Sequence, residues 1–326
     1  MSLPYLLRLL CLCMASFCVV NAVAGLLVTY FSRTLIRVAE KMRPRSGTRF
    51  LFFGRLVPMA LGGTAVLGLC VPSYLWLEPL GAPERVGLVC LTLTVLASAN
   101  WLLSIARVAR AVSVSLRCNR IWQLAGRAAG FKEKFSPALV VEKDAPLLAL
   151  AGILRPQLVI SDGVLRSLSS PQLDVALQHE NAHRASRDNL KRLALVLAPD
   201  PVPFLRGFAA LEEAWAKLAE WAADDAACGG DSLRALSLAS ALLCVARMGT
   251  APRLSSLHSS LVCGDRDLSA RIDRLLRNEP VSPEPFSWVR FPAKAAAVVA
   301  TGSLATLLLW PTTLSSVHRL LEHFLR

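Results

Sequence analysis

The sequence predicts a polytopic α-helical membrane protein with one α+β domain between its third and fourth membrane spans. Three observations lead there. The 326 residues are 54% hydrophobic and only 18% charged, with a mean hydropathy of +0.48; soluble domains run at about 45–50% and about 25%. Four apolar runs approach the roughly 20 residues that a membrane helix needs. Between the third and fourth runs, residues 107–292 pass from short apolar segments bounded by turn residues to a 3.6-residue periodicity.

The four spans fall at residues 9–31, 56–77, 86–106 and 295–314. The first follows Arg8 and contains Ala22-Val23-Ala24, which looks like a signal-cleavage site. Its apolar run continues to Phe31 and meets a basic cluster at once, the pattern of a retained span. The fourth is rich in Ala, Thr and Ser, contains Pro311, and is the weakest of the set. Nine cysteines show no zinc or disulfide spacing and read as small apolar residues.

The formal charge of +13 decides the orientation. Residues 32–55 hold seven basic residues and one acid, Glu40, for +6; residues 107–127 hold five arginines and no acid, for +5. Only one Arg and two Glu lie in the turn at 78–85. The positive-inside rule puts both basic segments in the cytoplasm and that turn outside. The N-terminus and the tail at 315–326 are then outside, with residues 107–292 cytoplasmic. No nucleic-acid recognition motif or interleaved aromatics accompany the arginines, so anionic lipid headgroups, and not nucleic acid, are their expected partner. The expected domains are therefore 1–106, 107–292 and 293–326.

Within 107–292, residues 108–127 read as a helix leaving the membrane. Strands are expected at 138–141, 146–154 and 157–160, the last closed by a Ser161-Asp162-Gly163 turn. Ser170-Pro171 starts a helix on which Leu173, Ala176, Leu177, Ala182 and Ala185 keep helical spacing. A second helix covers 205–228 and stops at Gly229-Gly230; further helices are expected at 233–248 and 269–276. Strands followed by helices make an α+β domain.

The chemistry-bearing motif is His179-Glu180-Asn181-Ala182-His183. Histidines at i and i+4 share one helix face and can bind a single metal ion. The Glu between them stands where it can take the proton of a metal-activated water. Such a site needs a third protein ligand. His318 and His323 lie beyond the fourth span, which leaves His258 or, better, Glu220 in Glu220-Trp221-Ala222-Ala223-Asp224. Asp224, one turn after Glu220, can accept the free N–H of a ligating histidine and fix its tautomer. Glu212, Glu213 and Asp225 read as solvated helix charges.

Together, His179-Glu180-x-x-His183 and Glu220-x-x-Ala223-Asp224 resemble the gluzincin pattern of membrane-bound metallopeptidases, shared by the HtpX type and the BlaR/MecR antirepressor type. Three spans before the domain and one after it look like the BlaR/MecR arrangement. So do the short gap from His183 to Glu220 and the run Gly152-Ile153-Leu154-Arg155-Pro156-Gln157-Leu158-Val159-Ile160 upstream. Asp188 matches an acid of that family's extended motif. The resemblance implies a zincin-type domain and Zn²⁺ held by His179, His183 and Glu220. It also implies Glu180 as general base, support from Asp224 and Asp188, and a cytoplasmic protein substrate such as a transcriptional repressor, in a bacterial inner membrane.

The chain departs from that family at Asn181 and Ser186, and only residues 315–326 follow the fourth span. No S-x-x-K nucleophile stands outside the membrane, so any signal is expected from a separate sensor protein. An HtpX-like quality-control protease and a non-enzymatic scaffold with a vestigial site are the rival readings. The strand at 147–154 is expected to offer its edge to an extended substrate.

Overall fold

The computed structural model describes residues 4–77, 86–129, 138–144, 146–200, 207–249, 259–260, 265–277, 312–313, 315–316 and 319. The outer turn at 78–85, His258, His318, His323 and all but a few residues of the fourth span and tail lie outside the described residues.

Three helices are long and apolar enough to cross a membrane: Tyr5–Tyr30, Pro44–Leu77 and Leu88–Ala125. The first is α1. The second runs as α3 (Pro44–Ala65), a π-helical turn (Val66–Cys70) and α4 (Val71–Leu77), while α2 (Ser32–Glu40) links it to α1. The third is α5 (Leu88–Ala125), which joins the expected third span and exit helix without a break. At 1.5 Å per residue its 38 residues reach about 57 Å, well beyond a hydrocarbon core of about 30 Å. Its C-terminal part is therefore free to serve the domain. Leu67, Val89, Leu96 and Leu102 face outward, as lipid-facing side chains would.

The sheet contains β1 (Gly126–Ala129), β2 (Ala138–Val141), β3 (Leu148–Ala151), β4 (Gln157–Ser161) and β5 (Ser259–Ser260), in the order β1-β2-β4-β3-β5. Only β2 and β4 are parallel. Both faces are covered, which is why its strands read as unbroken apolar runs. Ala138, Val140, Leu148, Leu150, Leu158 and Ile160 point into the main core; Val141, Leu147, Ala149, Ala151 and Val159 pack with Trp122 of α5. The expected turn at Ser161 is instead a helix start. Ser161 Oγ accepts the Val164 amide at 3.3 Å and caps α6 (Asp162–Ser167).

The main core is completed by α7 (Ser170–Ser186) and α10 (Ser232–Arg247). Next to α7 come α8 (Asp188–Leu197) and α9 (Gly207–Cys228), with α11 (Asp265–Arg277) packing on α9 and α10. Helix α9 also lies on the membrane helices: Phe208, Leu211, Trp215 and Leu218 share a core with Ala39 and Leu51. Gly207 begins it so close to Thr29 that a Cβ would come within 2.5 Å of the Thr29 methyl.

Two acids expected in solvent are paired instead. Arg55 of α3, 3% exposed, donates from Nε to Glu212 at 2.8 Å and from Nη2 to Asp200 at 2.7 Å. Arg107 of α5 reaches the other Asp200 oxygen at 2.6 Å, and Asn100 Nδ2 donates to the Asp200 carbonyl at 2.7 Å. Asp225 is held by Arg274 at 2.5 Å. Two of the arginines that set the expected orientation thus also bolt the domain to the spans.

Candidate metal centre

Helix α7 is started by a polar cap: Gln172 Oε1 accepts the Ser169 amide at 2.9 Å, and Pro171 sits in the first turn. The helix then runs along the core, so Val175, Ala176 and Leu177 are buried and the motif one turn later is buried with them. His179 and Glu180 are 0% exposed and His183 is 1%. Glu180 is therefore part of a closed site and not of a solvated face.

The two imidazoles meet Glu220 of α9. His179 Nε2 and His183 Nε2 are 3.2 Å apart, and each lies 3.5 Å from a Glu220 oxygen. One ligand atom from each residue falls within 4.8 Å of the others. Two ligands of a tetrahedral ion bound at about 2.0–2.1 Å sit about 3.3 Å apart; the His179–His183 separation matches this, while the two 3.5 Å contacts are to different Glu220 oxygens, Oε2 and Oε1.

The far sides of both rings are fixed by carboxylates. Asp224 Oδ1 is 2.9 Å from His179 Nδ1, and Asp188 Oδ2 is 2.8 Å from His183 Nδ1. The Asp188 contact is a hydrogen bond that favours the proton on His183 Nδ1, the tautomer that metal ligation needs; the Asp224 contact is as close, but its angle makes no hydrogen bond to His179 Nδ1. Such a convergence of donors could hold a metal ion. Burial works against a charged His183, but the Glu220 charge and the Asp188 hydrogen bond outweigh it and push its pKa up to about 10 in the metal-free site. Burial opposes ionisation of Glu220 too, yet the neighbouring His183, His179 and Arg271 hold it well below the usual carboxylate range. The field that retains a proton there would also attract a dication.

Glu180 behaves differently. Both its oxygens are buried without a hydrogen-bond partner among the described residues. Burial pushes its pKa up to about 7, with the imidazoles pulling the other way. A carboxylate left unpaired at this depth is costly unless a bound molecule supplies donors.

One member of the site carries no signal in the local motif. Arg271 of α11, 3% exposed, donates to both Asp224 oxygens, at 2.9 and 2.7 Å, and lies 3.2 Å from Glu220 Oε2. Despite burial it brings Asp224 down to about 2. Its place in the sequence gives a clue: Arg271 stands three residues after Leu268 and four before Leu275, on the apolar stripe of its helix. The structure thus unites His179, Glu180, His183, Asp188, Glu220 and Asp224. His258, the other candidate ligand, lies outside the described residues. The outer edge of β3, expected to take a substrate strand, is paired at Ala149 and Leu150 by Ser260 and Ser259 of the same chain.

No protein-family model matches the chain, and no curated protein matches it. The fold and the geometry define a membrane-helical protein with a buried His-His-Glu group that could hold a metal ion.

Proposed function

We infer that the protein is a membrane-embedded zinc endopeptidase of the BlaR/MecR type, facing the cytoplasm from a bacterial inner membrane. Its substrate would be a cytoplasmic protein, such as a transcriptional repressor. The observation that carries this reading is the position of Glu180: buried, unpaired, and next in sequence to one of three converging ligands.

Two imidazoles and a carboxylate are a donor set suited to catalytic zinc, which keeps a fourth position open. His179, His183 and Glu220 would hold the ion, with Asp224, Asp188 and Arg271 holding the ligands. When bound, zinc supplies Lewis acidity toward a peptide carbonyl and toward water. The proton transfers fall to Glu180. Its Oε atoms take the proton of the attacking water and pass it to the nitrogen of the leaving amine.

Glu180→Gln tests this, because it keeps the shape of the side chain and removes the base. The variant is expected to retain zinc and to lose at least about 100-fold in cleavage. It should also trap uncut substrates for identification by mass spectrometry. Undiminished proteolysis by the variant contradicts the assignment.

A further inference from the structure

A cleft of 660 Å³ touches the metal centre at His183. His183 and Asp188 form its inner end. Its rim is made by Arg184 and Arg187, where α7 passes into α8, and by Leu154 and Arg155, in the bend between β3 and β4. The three arginines are exposed, and none has a carboxylate or other polar partner among the described residues. Asp188 does not neutralise them, because its oxygens are committed to His183 at 2.8 Å and Lys191 at 2.9 Å.

The walls of the cleft are held in place. Asn189, 4% exposed, donates from Nδ2 to the carbonyls of Gly152 at 2.8 Å and Leu150 at 3.3 Å, which ties the start of α8 to the end of β3. Arg187 has φ 55° and ψ 41°, a left-handed conformation that favours glycine or asparagine. An arginine therefore occupies a position where the backbone disfavours it. Leu154, at the rim, is 82% exposed. A cleft lined by one sign of charge concentrates the opposite charge within it.

We propose that this cleft is the substrate subsite beside the scissile bond and that it selects an extended peptide carrying aspartate or glutamate, with an apolar residue resting on Leu154. This rests on the peptidase reading for its function but not for its binding, so the two can be separated. Arg155, Arg184 and Arg187 supply charge-assisted hydrogen bonds to the peptide's carboxylates. Their effect is electrostatic and weakens with salt.

The test uses the full chain in nanodiscs, loaded with zinc, and two sets of unstructured peptides that differ only in Asp/Glu against Asn/Gln. The acidic set is expected to show kcat/KM higher by about tenfold, with the ratio shrinking as salt rises. Arg155→Glu and Arg184→Glu with Arg187→Asn, which keeps the left-handed backbone accessible, should bring the ratio to about one or below. Equal cleavage of both sets, or an acidic preference that survives the triple variant, overturns the proposal. If neither set is cut, anisotropy of labelled peptides on zinc-loaded Glu180→Gln protein decides. Tighter binding of the acidic set, lost in the triple variant, upholds the cleft while the peptidase reading falls; equal binding overturns it. A triple variant that loses only affinity for anionic vesicles assigns the arginines to lipid and also overturns it.

Discussion

Asp224 shows how the residues of the centre depend on one another. It is buried, lies 2.9 Å from His179 Nδ1, and receives two hydrogen bonds from Arg271. Asp188 does the same for His183 from another helix. Neither acid reaches the metal position, so their contribution is to ring orientation and basicity. Asp224→Asn and Asp188→Asn should each weaken zinc affinity by about 10–100-fold, read by competition with a fluorescent chelator. Arg271→Ala should weaken it as well, because it leaves two buried carboxylates without their guanidinium; Arg271→Lys should restore part of the loss. Unchanged affinity in all three alanine or asparagine variants would mean the carboxylates do not hold the ligands. The ligands and Asp224 were legible because helical spacing brings residues four apart onto one face. Arg271 was not, because it reaches Asp224 across 47 residues and no spacing rule connects them.

Among the elements, the start of the connection from α8 to α9 ties the domain to the membrane helices. Asp200, near the start of this connection, joins Arg55 of α3, Arg107 of α5 and Asn100 of α5. Asp200→Ala strands Arg55, which is only 3% exposed and keeps Glu212 alone as a charged partner. Removing one member of a buried pair costs about 3–5 kcal/mol; because Asp200 is 26% exposed, the expected loss is nearer 2 kcal/mol. It should appear as a lower thermal midpoint in detergent, and Arg55→Met with Asp200→Ala should recover part of it. A midpoint equal to wild type in the single variant would show the node to be dispensable. The strands β2 and β4 were legible as apolar runs bounded by turn residues. β1 was not, since Gly126-Arg127-Ala128-Ala129 has little apolar pattern and gains its place only from pairing with β2. β5 is two serines, too short for any period to show. The turn expected at Ser161 and the helix found there share the same residues, because an N-cap and a turn both favour serine and aspartate.

Across the whole molecule, charge and hydropathy work together. The basic segments flank the spans, and the domain packs on their basic ends: Gly207 against Thr29, Asp200 against Arg55 and Arg107. The domain that carries the metal centre thus packs at the basic ends of the spans, and the positive-inside rule makes the cytoplasm the expected side for both. A protease site inserted between Gly229 and Gly230, both exposed at the end of α9, should be cut in inverted vesicles and protected in intact spheroplasts. Cleavage only in spheroplasts would reverse the orientation. The contacts between domain and spans were not legible, since Arg55 and Arg107 look the same in sequence whether they face lipid headgroups or Asp200. The most direct test of the account is the zinc-to-protein ratio of the purified full chain, measured by mass spectrometry of the metal. One tightly held zinc per chain is expected in the wild type and in Glu180→Gln, and almost none in His179→Ala, His183→Ala or Glu220→Ala. A wild type without bound metal, or a ratio that none of these three substitutions changes, would contradict it.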